Sequence, residues 1–512
     1  MSEYPVTGDS LGTSPGVRPV RLKTLFPLAS YSGCADVKVI SCACDSQTIE
    51  RGAAFVAIPG NHQDGADFIP DAIGRGAAVL ITEKPVHSQG LPQVIVPCAR
   101  EAYGKIQSAL AGNPSRSLKV AAVTGTNGKT SVSWILRSIV QSSLGGCGML
   151  GTIEYDDSLN ILPATLTTPP ADVIQTLLRQ TRQSGSRYAV LEASSHALHQ
   201  QRLAGCELDA AVITNVTHDH LDYHKDRDSY VKTKASLSRY LRESGMMLMN
   251  ADDPGAQEAA GFVSHPHIIT YGLHLAAEIK GVILEESLRG SRFSVTWQQE
   301  ELLFSTPLIG RHQVSNCLAA IAIALRWEIS PEAIQRGLSR LRCIPGRLQL
   351  VDHQRSVSCF VDYAHTADAL EQSIAHLRRL SSGRIILVFG AGGDRDRAKR
   401  PLMGQASRQA DVTIITSDNP RSEDPHAIIA DIQEGLTDSS QNVHCEVDRR
   451  KAIDRAVRLA SAGDVVLVAG KGHEKEQHIG AEVIPFDDCQ VIRDCLERTS
   501  SPSLPSAASS HL

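Results

Sequence analysis

At 512 residues the chain is long enough for about three domains, and its 42% hydrophobic and 21% charged content is ordinary for a globular protein. A net charge of −5 at pH 7 supplies no basic field, which argues against nucleic acid as a partner. No apolar run approaches the roughly 18–20 residues that cross a bilayer, which argues against membrane insertion.

The first stretch, MSEYPVTGDSLGTSPGVRP, has no basic segment followed by an apolar core. It is expected to be a flexible Ser/Gly/Pro leader rather than a secretory signal, with residues 1–35 holding it and the start of a first domain. Residues 36–112 alternate short apolar runs (FVAIPG, AAVLITE, QVIVP) with helical segments, as a small α/β domain does. LAGNPSRSLK, residues 110–119, has the Asn-Pro and Ser content of a linker. A central domain over 113–342 repeats strand–helix alternation through YAVLEASSH, DAAVITNV and GMMLMNADD, until Pro345-Gly346 breaks the pattern. A C-terminal domain over 343–495 alternates again through RIILVFGAGGD, DVTIITSDNPR and DVVLVAGKGHE. Strands alternating with helices imply parallel sheets, whose ligands sit beyond the carboxyl ends of the strands. Nearly every polar cluster of this chain falls at such a point. The Ser/Pro-rich tail, 496–512, is expected to be disordered.

The twelve cysteines are scattered without a CxxC pair, the closest being Cys42 and Cys44. They are expected to be reduced and structural, in a cytoplasmic chain.

VAAVTGTNGKTSVSW, residues 120–134, reads as an apolar strand, a glycine turn and a helix start. The usual Walker A loop has a glycine six residues before its lysine; here that position is Val123, and the first glycine is Gly125. The shortened turn keeps the physics of a phosphate cradle. Gly125 and Gly128 let successive N–H groups face one anion, and the helix N-terminus adds positive potential. Lys129 suits β/γ-phosphate oxygens and the Thr130 hydroxyl suits Mg²⁺. Glu192 ends a second strand. A third ends in NVTHDHLDYH, where His218, Asp219, His220, Asp222 and His224 crowd together. A nucleotide nearby favours Mg²⁺, an oxygen-seeking ion, but the residues alone do not choose among the histidines.

TGTNGKTS, EASSH, NVTHDHLDYH, DYAHTADAL, GAGGDRDRAKRPLMG, DNPR and AGKGHE occur in one order, and in that order the chain resembles the Mur ligases from about residue 36 to 495. Within the family it is most similar to the MurE-type branch, which adds meso-diaminopimelate. The resemblance implies a three-domain α/β architecture with a central P-loop-type ATPase domain and a C-terminal Rossmann-like domain. It implies that ATP phosphorylates the D-Glu side-chain carboxylate of UDP-MurNAc-L-Ala-D-Glu. An amino acid then attacks the acyl phosphate, in peptidoglycan precursor synthesis by a monomer.

Carried over by motif, Gly125, Thr126, Asn127, Gly128, Lys129, Thr130, Ser131, Asn316 and Arg347 serve ATP. Glu192 and His220 join Thr130 on Mg²⁺. The family carries a carbamylated lysine, for which Lys225, Lys232 and Lys234 are candidates by chemistry and Lys234 by spacing. Ser46, Asn61, His62 and Gln63 match UDP-sugar contacts. Thr167, Thr168, Ser194, Gln200 and Arg202 match residues that hold the MurNAc-dipeptide.

The tetrapeptide Asp418–Arg421 is the mark of the diaminopimelate-adding branch. Diaminopimelate, unlike lysine, has a carboxylate at its far end, which a guanidinium grips through two hydrogen bonds. Arg421 is the expected grip and Arg395 a second cation, with Asp418, Asn419, Pro420, Gly470 and Glu474 completing the pocket. Five departures from the family pattern stand out: Gln47 for arginine, Leu166 for asparagine, His312-Gln313 for a Phe-Asn pair, Gln349 for glutamate and Ala367 for proline. The alternatives are a lysine-adding or folylpolyglutamate-synthase-like ligase, a P-loop kinase, and a non-catalytic binding protein of the same fold.

Overall fold

A computed structural model describes residues 19–60, 63–217, 221–224, 226–436 and 442–500. The chain divides into two compact units, the first holding residues 1–280, 296–298 and 315–337, the second 281–295, 299–314 and 338–512.

The first unit contains a five-stranded sheet ordered Ser30–Ser32, Gln93–Ile95, Val79–Thr82, Ala54–Val56, Cys42–Ala43. All neighbours are parallel except the edge strand Ser30–Ser32. The helix Ala99–Leu110 buries Ala99, Ala102, Tyr103 and Ile106 against Val56, Val79, Ile81 and Val94. That spacing makes one face of a helix.

Residues 110–119, whose composition is that of a linker, form a packed turn. Asn113 takes a left-handed conformation and Pro114 opens a single turn, Pro114–Ser117. Ser115 is buried; its Oγ accepts from Glu207 N at 3.1 Å, and its carbonyl accepts from Arg242. Arg182 donates to Gly112 O at 3.1 Å. Asn, Pro and Ser report a change of chain direction, which a buried turn also needs.

The larger sheet of this unit is built around β1 (Lys119–Thr124), with β2 (Tyr188–Glu192) on one side and β3 (Leu208–Ile213) on the other. All three are parallel and read as continuous apolar runs because both faces are covered. Register sets Glu192 opposite Val123 and Ile213 opposite Thr124. The chain after β1 therefore emerges between the carboxyl ends of two neighbours. Helix α1 (Lys129–Ser143) follows and buries Val132, Ile135, Leu136, Ile139 and Val140. Helix α2 (Arg227–Ala235) is capped by Asp226, whose side chain accepts from Ser229 N.

The second unit holds a six-stranded sheet. Its order is Gln349–Leu350, Ser358–Asp362, β6 (Val465–Ala469), β4 (Ile385–Phe389), β5 (Val412–Ile415) and Asn442–Cys445. Every pair is parallel except the first. Alternate residues of β4 enter opposite cores, Leu387 and Phe389 on one face and Ile386 and Val388 on the other, as a sheet covered on both sides requires. Because β6, β4 and β5 are neighbours, the polar loops that follow them leave the sheet side by side.

His376, on the helix Ala367–Leu380, is buried, and its Nδ1 accepts from Arg379 at 2.8 Å. Burial first, then Arg379 and Arg311, push its imidazole down to about 4. Below about pH 6.5 the unfolded chain takes a proton that the folded chain refuses, so stability falls as pH drops toward 4, by roughly 3 kcal/mol. Urea titrations at pH 7 and pH 4.5 check this; His376→Gln is expected to lessen the difference.

Candidate active site

β1 runs into a turn whose glycines are there for space and dihedral angle. Gly125 has φ 151° and Gly128 has φ 88°. A Cβ on Gly125 would sit 1.9 Å from Thr214 Oγ1, and one on Gly128 2.7 Å from Asn316 Oδ1. The loop is clamped from the end of β3: Asn127 N donates to Asn215 Oδ1 at 2.8 Å, Thr126 N to Asn215 O at 3.0 Å, and Thr214 Oγ1 to Asn127 O. Lys129 folds back over the loop, its ammonium donating to Gly125 O at 2.8 Å and Thr126 O at 2.9 Å. Ser131 is buried in the first turn of α1.

Glu192, 0% exposed, is the centre of a hydroxyl cluster. Its Oε2 accepts from Thr130 Oγ1 at 2.9 Å and Thr152 Oγ1 at 2.8 Å; its Oε1 accepts from Thr152 N at 2.9 Å. Gly151 makes room for this, since a Cβ there would stand 2.1 Å from Glu192 Oε1. Thr152 Oγ1 also reaches Thr167 Oγ1 at 3.2 Å. A buried carboxylate beside two hydroxyls is a set of hard oxygen donors, the kind that Mg²⁺ takes from a protein while substrate oxygens and water complete its shell. The residues present therefore fit that ion. Among the described residues no group of three or more His, Cys, Asp or Glu forms a cation site.

His220, with His218 and Asp219, lies outside the described residues, as do Lys225, Asn61 and His62. Burial separates the remaining lysine candidates. Two positions apart on α2, Lys232 and Lys234 project to different faces. Lys232 is exposed and pairs with Asp228 at 2.5 Å. Lys234 is 1% exposed, its Nζ 4.5 Å from the centre of the Tyr230 ring. Tyr230 OH meets Thr126 Oγ1 at 3.1 Å, so the lysine helix touches the phosphate loop through one phenol.

Next to Glu192, Thr168 Oγ1 donates to Glu192 O at 2.7 Å and accepts from Ser194 N at 3.0 Å. Ser194 caps the short helix Ser195–His199. Arg202 spans Thr168 O at 2.6 Å and Gln200 Oε1 at 2.9 Å. Thr167, Thr168, Ser194, Gln200 and Arg202 thus form one connected group adjoining the Glu192 cluster. Ser46 is separate: it is buried at the head of the turn Ser46–Thr48, facing Asp71, whose carboxyl it holds below the usual range. Gln63 is exposed.

In the second unit the loops after β4, β5 and β6 interlock. Gly393 N donates to Asn419 O at 2.9 Å, and a Cβ on Gly393 would meet Pro420 O at 1.9 Å. Arg421 has φ 52° and donates Nη1 to Gly393 O at 2.6 Å. Asn419 Nδ2 donates to Glu474 Oε2 at 2.7 Å. Buried Lys471 donates to Asn419 Oδ1 at 3.1 Å, Glu474 Oε2 at 3.2 Å and Glu476 O at 2.6 Å. Burial pushes the Asp418 carboxyl up, against the pull of Arg449 and Lys471. Gly470 leaves Asp418 its place, because a Cβ there would lie 2.4 Å from Oδ2. Arg395 is exposed on the loop after β4. Arg347 lies 4.9 Å over the Tyr363 ring, which is 5.0 Å from His473.

The departures fall where local structure absorbs them. Gln349 Oε1 accepts from Gly346 N at 3.0 Å. Leu166 uses its backbone N–H and C=O on Tyr155 OH, at 3.0 and 2.6 Å. Ala367 opens a helix capped by Thr366; proline is favoured there because that N–H is unpaired anyway, so alanine loses little. Gln313 is buried, and Gln47 N is held by Asp45 Oδ1 at 2.9 Å.

Thr152, Asn215, Tyr230, Arg400 and Lys471 shape these sites but carry no motif signal by themselves. Asn215 in NVTHDHLDYH, Arg400 in GAGGDRDRAKRPLMG and Lys471 in AGKGHE stood in stretches that the sequence singles out, whereas Thr152 and Tyr230 did not.

A phosphate-type loop beside a buried carboxylate, at the carboxyl ends of parallel strands, suits an enzyme that handles a nucleotide phosphate. Family models match over most of the chain: "Mur ligase family, catalytic domain" over residues 38–113, "Mur ligase middle domain" over 123–324, and "Mur ligase, glutamate ligase domain" over 346–472. The chain belongs to the Mur ligase family and has its three-domain α/β fold. A relative from Aquifex aeolicus, UDP-N-acetylmuramoyl-L-alanyl-D-glutamate–2,6-diaminopimelate ligase, is 41% identical over 88% of this chain and 92% of its own. A protein of the same name from Gloeobacter violaceus is 40% identical over 91% of this chain and 95% of its own. A solved structure bearing that name superposes with a TM-score of 0.68 at 35% identity, covering 90% of this chain and 95% of the other. No helix of the described residues is long and apolar enough to cross a membrane.

Proposed function

We propose that the chain joins meso-diaminopimelate to the D-Glu side-chain carboxylate of UDP-MurNAc-L-Ala-D-Glu, forming an amide, ADP and phosphate. The observation that carries this is the interlocking of the loops after β4, β5 and β6, where Lys471 and Gly393 hold Asn419, Arg421 and Glu474 together. These residues offer a guanidinium for a distal carboxylate and carboxylate and amide oxygens for an ammonium. The relatives' names support the same reading. The reaction takes place in the cytoplasm, and the three domains are 36–112, 113–342 and 343–495.

A carboxylate is a poor electrophile, so the γ-phosphate of ATP is transferred to it first and leaves as phosphate when the amine attacks. Lys129 and the amides of residues 125–131 hold the nucleotide phosphates, and Asn316 and Arg347 also serve ATP. Thr167, Thr168, Ser194, Gln200 and Arg202 orient the muramoyl dipeptide, and Ser46 with residues 61–63 its uridine end. Thr130, Glu192, His220 and a carbamate on Lys234 would hold Mg²⁺, which neutralises phosphate charge when bound. The burial of Lys234 and the oxygen-rich surroundings of Glu192 support that assignment. The chain's own work is positioning and charge neutralisation.

Gly125→Ala tests the cradle. Its Cβ must displace Thr214 from Asn127 O, so ATP affinity is expected to fall about tenfold, with a stability loss of roughly 1–3 kcal/mol. Nucleotide titration and thermal denaturation check the two effects. Mass spectrometry of the product made from UDP-MurNAc-L-Ala-D-Glu, ATP and meso-diaminopimelate tests the function itself.

A further inference from the structure

Helix α3 (Lys399–Ala406) follows the loop after β4, and Arg400 in its first turn is 0% exposed. A guanidinium removed from water needs several acceptors. Arg400 finds them at Glu423 Oε1 (2.7 Å) and Oε2 (2.9 Å), Asp431 Oδ2 (2.8 Å) and Gly392 O (3.3 Å). Its two carboxylate partners differ in what they are attached to. Asp431 lies on helix α4 (Pro425–Gln433) and also pairs with Arg397 at 3.1 Å. Glu423 lies two residues after Arg421, and its Oε1 also accepts Asp394 N at 2.5 Å. Asp394, one residue before Arg395, accepts from Ser422 Oγ at 2.6 Å and Ser422 N at 3.2 Å. The two loops that carry Arg395 and Arg421 are therefore tied by a forked ion pair in addition to the direct bonds between Asp394 and Ser422 and between Arg421 and Gly393.

We propose that Arg400 and Glu423 are positioning residues for amino-acid selection: their forked pair holds Arg395 and Arg421 at the spacing that meso-diaminopimelate requires. The inference rests on the reading of these loops as the amino-acid pocket. Neither residue touches the substrate; each acts through the loops. Arg400 beside Glu423 holds that carboxyl down at about 2, so the pair stays ionised across any assay pH. Lysine cannot replace the fork, and glutamine keeps the shape of Glu423 while removing its charge.

The test is steady-state kinetics of Glu423→Gln and Asp431→Asn beside the wild type, varying each substrate in turn. Losing one charge-assisted hydrogen-bond pair is expected to raise KM for meso-diaminopimelate about tenfold in Glu423→Gln. KM for ATP and for UDP-MurNAc-L-Ala-D-Glu should stay within about twofold of wild type, and Asp431→Asn should leave all three so. The inference is overturned if both variants lower the melting temperature alike while KM for meso-diaminopimelate stays at the wild-type value. That pattern would make the pair a fold staple only. A wild-type protein that forms no diaminopimelate amide would overturn the proposed function, and this inference with it.

Discussion

Lys129→Ala is expected to lower phosphate release by about 10²–10³-fold while leaving the protein folded. The ammonium is half-buried and folds back onto Gly125 O and Thr126 O, so it sits over the concave side of the loop. There it meets anionic oxygens whose charge grows as the γ-phosphate is transferred, and no other lysine lies in that turn. Removing it leaves the Asn215 and Thr214 clamps in place. The loss should therefore fall on turnover. Single-turnover phosphate release, with melting temperature as the control for folding, checks the split.

Arg421→Ala is expected to raise KM for meso-diaminopimelate about 100-fold, with ATP binding unchanged. The side chain has two tasks. Nη1 is tied to Gly393 O, which fixes the plane of the guanidinium, and the left-handed backbone at φ 52° sets its direction. The other edge of the fork is the part that suits a distal carboxylate. Lysine lacks that carboxylate, so the variant should lose discrimination between the two amino acids more than it loses basal turnover with lysine. Competition between meso-diaminopimelate and lysine, read by product mass, checks this. Unchanged selectivity would remove Arg421 from the pocket.

Much of this was legible because the chain puts its polar residues at strand ends. TGTNGKTS, EASSH and DNPR each follow an apolar run, and parallel sheets bring such ends together whatever their distance in sequence. Glu192 and Thr130 are far apart in the chain, yet neighbouring strands place them within a hydrogen bond. What the sequence hid has physical reasons too. Thr152 reaches Glu192 from a loop with no motif, and only the antiparallel return at Gly148–Pro163 puts it there. Tyr230 reads as a core aromatic on a short helix, and its hydroxyl contact with Thr126 depends on the rotation of that helix. Arg400 reads as one cation in a run of charged residues, and nothing local says that it is buried. In the 110–119 stretch, Asn, Pro and Ser announce a turn, but nothing local says that Ser115 is buried within it.

The most direct measurement is product analysis of purified protein supplied with UDP-MurNAc-L-Ala-D-Glu, ATP, Mg²⁺, bicarbonate and either meso-diaminopimelate or lysine. One ADP and one phosphate should appear for each diaminopimelate amide formed, with far less product from lysine. Nucleotide hydrolysis with no new amide, or equal use of both amino acids, would contradict the account.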